Sequence, residues 1–236
     1  MVPCCSLSLF SGDKVAQYHS FSDWMPSTVY SHEIDEARES ASAAGYPVVS
    51  KSCNGAGASN VRYIADLAAA HKEIDLVFSE KGMTCYNEAI QQGYVLWQEW
   101  IPGLEVNWRV LVLDKKWVIV TKRWNEEGKE FVNDSGKIET LWEMTDEARP
   151  FVDKAIEFVK AKDFDWAAVD LIRHPDQGVI LILEISCGWP MWWMKEGMMF
   201  EVEGEEIRPY EPARGVLRHV VKEILVKSPV EAGSGS

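Results

Sequence analysis

Asp170 and Glu184 are acidic side chains set in an otherwise apolar neighbourhood. Both lie in residues 166–186, WAAVDLIRHPDQGVILILEIS, where two apolar runs flank a Pro-Asp-Gln-Gly cluster, the pattern of a β-hairpin. A three-residue loop at Asp176-Gln177-Gly178, with Gly178 in the left-handed conformation, puts Pro175 opposite Val179. Counting back along that register sets Asp170 opposite Glu184 with both side chains on one face; a loop of two or four residues would separate them. Two carboxylates so placed among Val, Leu and Ile repel each other and lose hydration. A divalent cation resolves both problems, and Mg²⁺ held by one or two carboxylates keeps positions open for substrate phosphates. Protonation of one acid, or an arginine brought from elsewhere in the chain, would also resolve them.

Other residues have chemistry to offer. Lys51 precedes a loop of small residues containing Gly55 and Gly57, which suits phosphate: glycine lets the backbone approach an oxyanion, and lysine supplies a compact charge. The same composition also describes an ordinary turn. No GKS or GKT follows, so this is not a Walker-type loop. Residues 98–105, QEWIPGLE, end one strand and turn into the next; exposed backbone there suits a flat heterocycle, and Glu105 could accept from ribose hydroxyls, although a plain hairpin with surface acids reads the same way. Arg109 and Arg123 lie within strand patterns, where arginine needs an anion or a salt bridge; Glu99 and Glu184 are the expected protein partners. Trp189, Trp192 and Trp193, with Met191 and Met194, suit an acceptor pocket wall, core packing or a dimer patch. His19, His32, His71, His174 and His219 have no metal-ligand spacing, and Cys187 has no adjacent general base.

The elements that position these residues follow from periodicity. Asp13 caps a short helix, a Thr/Val/Tyr strand follows Pro26, and an acidic helix over 33–44 stops at Gly45-Tyr46-Pro47. Short strands at Val48–Lys51 and Val61–Ile64 flank the glycine loop, and a helix covers 66–81. Strands are then expected at 94–100, Val106–Leu113 and 117–123, followed by an irregular stretch over 124–145. A helix capped at Thr145-Asp146 runs to Ala161, the hairpin follows, and a last helix covers 213–226. This is an α+β pattern: a lead-in over 1–19, a small lobe over 20–90, a larger and mostly antiparallel lobe over 91–228, and a flexible tail over 229–236.

Composition restricts the function classes. Acidic residues outnumber basic ones 37 to 24 and give a net charge of −13, a field that repels nucleic acid; an anionic nucleotide needs a local Lys/Arg pocket. Five cysteines without zinc-type spacing, no signal peptide and no apolar run of membrane-spanning length point to reduced thiols in the cytoplasm and no membrane association.

The joint order of these segments resembles the ATP-grasp superfamily, in its ribosomal-protein glutamate ligase and glutathione-synthetase-like branch. The resemblance covers residues 13–190: Asp13-Lys14, Pro26-Ser27-Thr28, GYPVVSK with the glycine loop, QEWIPGLE, NWRV with TKR, then AVDLIR and ILEIS. It implies two lobes of mostly antiparallel sheet clasping ATP. Carried over position by position, Lys14 and Lys51 contact phosphates, and the loop 54–60, with Asn54, Gly55, Gly57, Ser59 and Asn60, closes over them. Gln98, Glu99, Trp100 and Ile101 hold adenine, and Glu105 the ribose. Arg123 faces the transferred phosphate and completes, with Lys51 and Arg109, the catalytic set. Asp170, Glu184 and Ser186 hold Mg²⁺, or Mn²⁺ in its place.

The activity implied is ADP-producing ligation of a small-molecule or peptide carboxylate to an amine through an acyl phosphate. A non-catalytic Mg-ATP-binding subunit and a small-molecule kinase are the alternatives. Two departures bear on this. Ser186 stands where the family has Asn, and the chain begins almost at Asp13-Lys14, where the family has a further N-terminal domain. A homodimer or a partner subunit is therefore expected to replace that domain.

Overall fold

The structure, a computed structural model, describes residues 10–53, 60–85, 88–125, 136–186 and 198–210. Its first sheet is assembled from short alternating segments. β1 (Thr28–Ser31), β2 (Val48–Lys51), β3 (Val61–Ile64) and β6 (Val95–Glu99) pair in the order β1-β6-β2-β3, antiparallel throughout. Alternation gives the sheet two faces. Val48, Ile64, Val95 and Trp97 pack against Ala37 and Ala41 of α2 (Ile34–Ala43) and Ala70, Ile74 and Val77 of α3 (Leu67–Val77). Val49, Lys51, Leu96 and Gln98 occupy the other face. Asp66 caps α3, accepting from the Ala69 amide at 2.8 Å. The helix ends at Val77, short of the expected 81. Further on, Gly82 has φ +64°, and a Cβ there would lie 2.6 Å from Ile90 Cγ2. That close approach belongs to a two-residue ladder of β4 (Met83–Thr84) with β5 (Ile90–Gln91), too short to show a sequence period.

A polar network crosses this core. The buried Glu73 of α3 accepts from Ser50 Oγ, from Arg62 Nε at 3.1 Å and from Trp97 Nε1 at 3.2 Å. Arg62 Nη2 donates in turn to Ser50 Oγ and Gln91 Oε1, each at 2.9 Å. Every strand next to Lys51 is thereby fixed to α3.

The second sheet contains β7 (Val106–Leu113), β8 (Trp117–Trp124), β10 (Trp166–Arg173), β11 (Ile180–Ser186), β12 (Met199–Glu203) and β13 (Glu206–Tyr210) in the order β11-β10-β7-β8-β12-β13. β9 (Ile138–Thr140) shares the outer edge of β8 with β12. One face is covered by α4 (Arg149–Ala161), whose Phe151, Val152, Ala155, Phe158 and Val159 pack on Trp108, Val110, Val120, Val169 and Leu171. The amino-terminal helix α1 (Lys14–Phe21) docks at the same core through Phe21, whose ring lies 5.3 Å from that of Phe158.

The hairpin of β10 and β11 does set Asp170 opposite Glu184. It arrives there by a different route. His174 N donates to Val179 O and Gly178 N to His174 O, both at 2.8 Å, so the loop is four residues long, with Gly178 at φ +68°. The His174 ring stabilises that loop, with Nδ1 accepting from the amides of Asp176 at 3.3 Å and Gln177 at 3.4 Å. The ladder then runs Arg173↔Ile180, Ile172↔Leu181 and Leu171↔Ile182 before a β-bulge. Leu183 is the extra residue, and it returns the register to Asp170↔Glu184. The expected three-residue loop is incorrect by one residue, and the bulge offsets that residue.

The cap expected at Thr145-Asp146 also shifts. α4 follows Ala148, and Thr145 Oγ1 accepts from the Ala148 amide at 3.2 Å in the turn before the helix. Within the stretch expected to be irregular, β9 forms, and β12 and β13 make a hairpin over 199–210, where no strand was expected although Phe200-Glu201-Val202-Glu203 alternates. The helix at 213–226 and the Trp189, Trp192 and Trp193 cluster lie outside the described residues. Among the described residues no helix is long and apolar enough to cross a membrane.

Glu73→Ala strips Arg62 of its buried partner and is expected to cost about 3–5 kcal/mol in urea denaturation, whereas the double substitution Arg62→Met with Glu73→Met recovers most of that loss.

Candidate active site

The face of the second sheet away from α4 carries a row of polar residues. Register places Glu184 of β11 beside Asp170 of β10, Asp170 beside Arg109 of β7, and Arg109 beside Thr121 of β8. One step along, Arg123 stands opposite Asn107. A small apolar cluster of Leu111, Leu113, Trp117, Ile119, Ala168 and Met199 closes the other end of this face.

Arg109 binds Asp170 in a bidentate pair, Nε to Oδ1 and Nη2 to Oδ2 at 2.6 Å each. Of the outcomes open to the acidic hairpin, the arginine from elsewhere is therefore the one present, although its partner is Asp170 and neither Glu99 nor Glu184. Burial by itself would raise the Asp170 carboxyl; the Arg109 guanidinium, helped by Arg123 and Lys51, outweighs it and holds the group below the usual carboxylate range.

The first sheet adds Lys51 from the end of β2. Its ammonium donates to Gln98 Oε1 at 2.6 Å and to the carbonyl of Leu183 at 3.4 Å, so the bulged residue meets the first sheet. Burial lowers Lys51 to about 8; Lys14 pushes in the same direction, while Glu184 and Asp170 oppose it. Lys14, at the start of α1, pairs with Glu184 Oε1 at 3.3 Å. Lys14, Lys51, Arg109 and Arg123 thus surround Asp170 and Glu184. In a chain of net charge −13, four cations gathered here make a local positive region.

Gln98 completes the link to the first sheet, its Nε2 donating to Thr28 Oγ1 at 3.0 Å. Glu99 ends β6 and lies 3.4 Å from His174 Nε2. Because His174 Nδ1 accepts the two loop amides, Nε2 carries the proton and donates to Glu99. Trp100 is half-buried, edge-on to Tyr63 with ring centroids 5.1 Å apart, Ile101 is buried, and Glu105 is exposed. Asn60 is buried where the chain returns to β3, its carbonyl accepting from the Ser52 amide at 3.2 Å. Asn54, Gly55, Gly57 and Ser59 lie outside the described residues, as does Cys187.

Ser186 lies two residues beyond Glu184 on β11 and shares its face. Among the described residues no three His, Cys, Asp or Glu side chains converge. Asp170, Glu184 and Ser186 carry oxygen donors of a kind that Mg²⁺ accepts. Each Asp170 oxygen gives one lone pair to Arg109 and keeps another, and hard carboxylate oxygens suit Mg²⁺. Residue types and spacing did not single out Gln17, which grips the β11 backbone, or His174 at the loop. An amide or imidazole that acts on backbone has no sequence period.

Arg109→Met leaves Asp170 buried without its partner, and urea denaturation at pH 7 should show a loss of about 3–5 kcal/mol. In the wild type the depressed Asp170 contributes stability above the ordinary value of 3.8 and loses it as pH falls through the folded-state value. In the variant, burial is opposed only by Arg123 and Lys51, so the group rises relative to the wild type. The difference between the two proteins should therefore shrink as pH falls through the variant's and then the wild type's folded-state value.

No protein-family model matches the sequence, and no curated protein matches it. Solved structures do. The ATP-grasp ligase PsnB complexed with a minimal precursor is similar with a TM-score of 0.50 at 15% identity over 78% of this chain and 53% of that one. The macrocyclase MdnC of Microcystis aeruginosa MRC, bound with precursor peptide MdnA, gives 0.53 at 15% identity over 97% and 63%. Phosphoribosylamine–glycine ligase of Thermotoga maritima gives 0.54 at 17% identity over 75% and 47%. The chain spans about half the length of the first of these, at 53%. With two antiparallel sheets that meet at Lys51 and Leu183, this likeness shows that the chain has the ATP-grasp fold.

Proposed function

We propose that this chain works as the nucleotide-binding part of an ATP-dependent carboxylate–amine ligase, with the two sheets acting as lobes on either side of ATP. The observation that carries this reading is the convergence of Lys14, Lys51, Arg109 and Arg123 on the opposed Asp170 and Glu184. Lys14 and Lys51 take the phosphates. Gln98, Glu99, Trp100 and Ile101 flank adenine, and Glu105 meets the ribose. Asp170 and Glu184, with Ser186, would hold Mg²⁺ or Mn²⁺, which supplies charge neutralisation at the phosphates. A peptide carboxylate is the favoured substrate class, because PsnB and MdnC are seen with precursor peptides.

In the proposed reaction a carboxylate oxygen attacks the γ-phosphorus, the bond to ADP breaks, and an acyl phosphate forms. Arg123 and Arg109 stabilise the charge gathering on the transferred phosphoryl oxygens. The amine nitrogen then attacks the carbonyl carbon; phosphate leaves with the C–O bonding pair, and the amine's extra proton passes to solvent. Lys51 orients the phosphate while its own position is held by Gln98.

The test is ADP and phosphate release that requires both a carboxylate peptide and an amine. Asp170→Asn and Glu184→Gln should each reduce it about 10²–10³-fold. Nucleotide binding without turnover in any such mixture would instead favour a non-catalytic subunit, and a phosphorylated product without amide would favour a kinase. Because free Lys51 titrates at about 8, the KM for ATP should climb above that pH, and Lys51→Arg should remove the climb.

A further inference from the structure

β11 is the outermost strand on its side of the second sheet, so Ile185 would present an unpaired amide and carbonyl at an open edge. Gln17 occupies that edge instead. Its side-chain oxygen accepts from Ile185 N at 3.0 Å, and its Nε2 donates to Ile185 O at 2.9 Å and to Phe10 O at 2.8 Å. A carboxamide has the donor and acceptor of a peptide group, and here it pairs with the strand as another strand would. Gln17 is 1% exposed, and α1 cannot easily drift because Phe21 anchors it against Phe158. At its other end, Asp13 caps the helix through the Ala16 amide, and Lys14 N donates to Cys53 O at 3.2 Å.

The point of attachment matters. Ile185 turns its side chain into the core under α4, so Glu184 and Ser186, on either side of it, turn theirs to the opposite face. Gln17 therefore holds the two peptide units on either side of Ile185, which set the direction of both side chains. Lys14, three residues earlier on the same helix, reaches the Glu184 carboxylate. We propose that Gln17 is a positioning residue for the cation site, clamping the β11 backbone so that Glu184 and Ser186 stand in register with Asp170. This rests on the assignment of a divalent cation to these residues made above.

The chemistry required of residue 17 is narrow. Glutamate keeps the length and accepts from Ile185 N, but it cannot donate to Ile185 O or Phe10 O. Methionine keeps the volume and makes neither bond. Outer-shell partners of this kind are worth about 10–100-fold in metal affinity.

The experiment measures Mn²⁺ binding by electron paramagnetic resonance, in the presence of a non-hydrolysable ATP analogue, together with amide hydrogen exchange at Ile185. Gln17→Glu and Gln17→Met should bind Mn²⁺ about 10-fold or more weakly, and Gln17→Met, which also loses the bond from the Ile185 amide, should exchange that amide faster. Val152→Ala, a core truncation in α4, supplies a comparator that lowers Tm and leaves Mn²⁺ affinity unchanged. If Gln17→Met does not fold, Gln17→Glu, which retains one of the two strand bonds, decides. Mn²⁺ affinity in the Gln17 variants equal to wild type, or falling only as it does in Val152→Ala, overturns the proposal. Failure of the wild type to bind Mn²⁺ with the analogue overturns the cation assignment itself, and the proposal with it.

Discussion

The buried pair of Asp170 and Arg109 is the constraint around which the second sheet is arranged. A carboxylate enclosed in a sheet face is tolerated only with a partner, and the bidentate guanidinium gives it the geometry in which mutual attraction recovers most of the desolvation cost. Because Asp170 and Arg109 are cross-strand neighbours, the strands carrying them must be β10 and β7 in one register. That register in turn sends Val110, Val112, Val169 and Leu171 to the α4 face, so electrostatics on one side and packing on the other select the same alignment. A slip of one residue would bury charge under α4 and expose the core. The fold and the site therefore stand on a shared condition.

The first sheet reaches the same place through a different device. Lys51 sits at the end of a four-residue strand, too short to hold a buried ammonium by itself. Its neighbour Ser50 points to the opposite face and joins the Glu73 and Arg62 network, which ties the strand to α3. One residue is thus held by helix-side hydrogen bonds while the next projects toward the second sheet. Glu73 has no contact with the acids, yet it helps determine where Lys51 can be.

How much of this was legible in the sequence depends on what kind of signal each part leaves. The strands from 48 to 51 and from 106 to 113 emerged at their observed limits because Gly45-Tyr46-Pro47, Pro102-Gly103 and Asp114-Lys115-Lys116 bound them. The opposed acids were legible because their spacing across a Pro/Gly loop has few solutions. The partner of Arg109 was not, since Asp170 lies 61 positions away and only tertiary register brings the two together. Gln17 and Ile185, 168 positions apart, are the extreme case: an amide bonding to backbone selects no side chain at the other end. The short ladder of β4 with β5 escaped notice for the opposite reason, since two residues a side show no period.

The bulge at Leu183 has a consequence for how such sites are recognised across diverging chains. What the site requires of the hairpin is parity: the acids share a face only if loop residues and bulged residues together number odd, here four and one. The count of residues separating the acids is free to vary so long as that parity holds. Hairpins of different length can then present the same pair of carboxylates, and a pattern written as a fixed interval between them will miss members that a rule on parity would keep. The carbonyl that the bulge releases is not idle either, since it is the one that Lys51 meets. The irregular residue is thus where the two sheets touch, and length variation absorbed elsewhere in the loop leaves that junction in place.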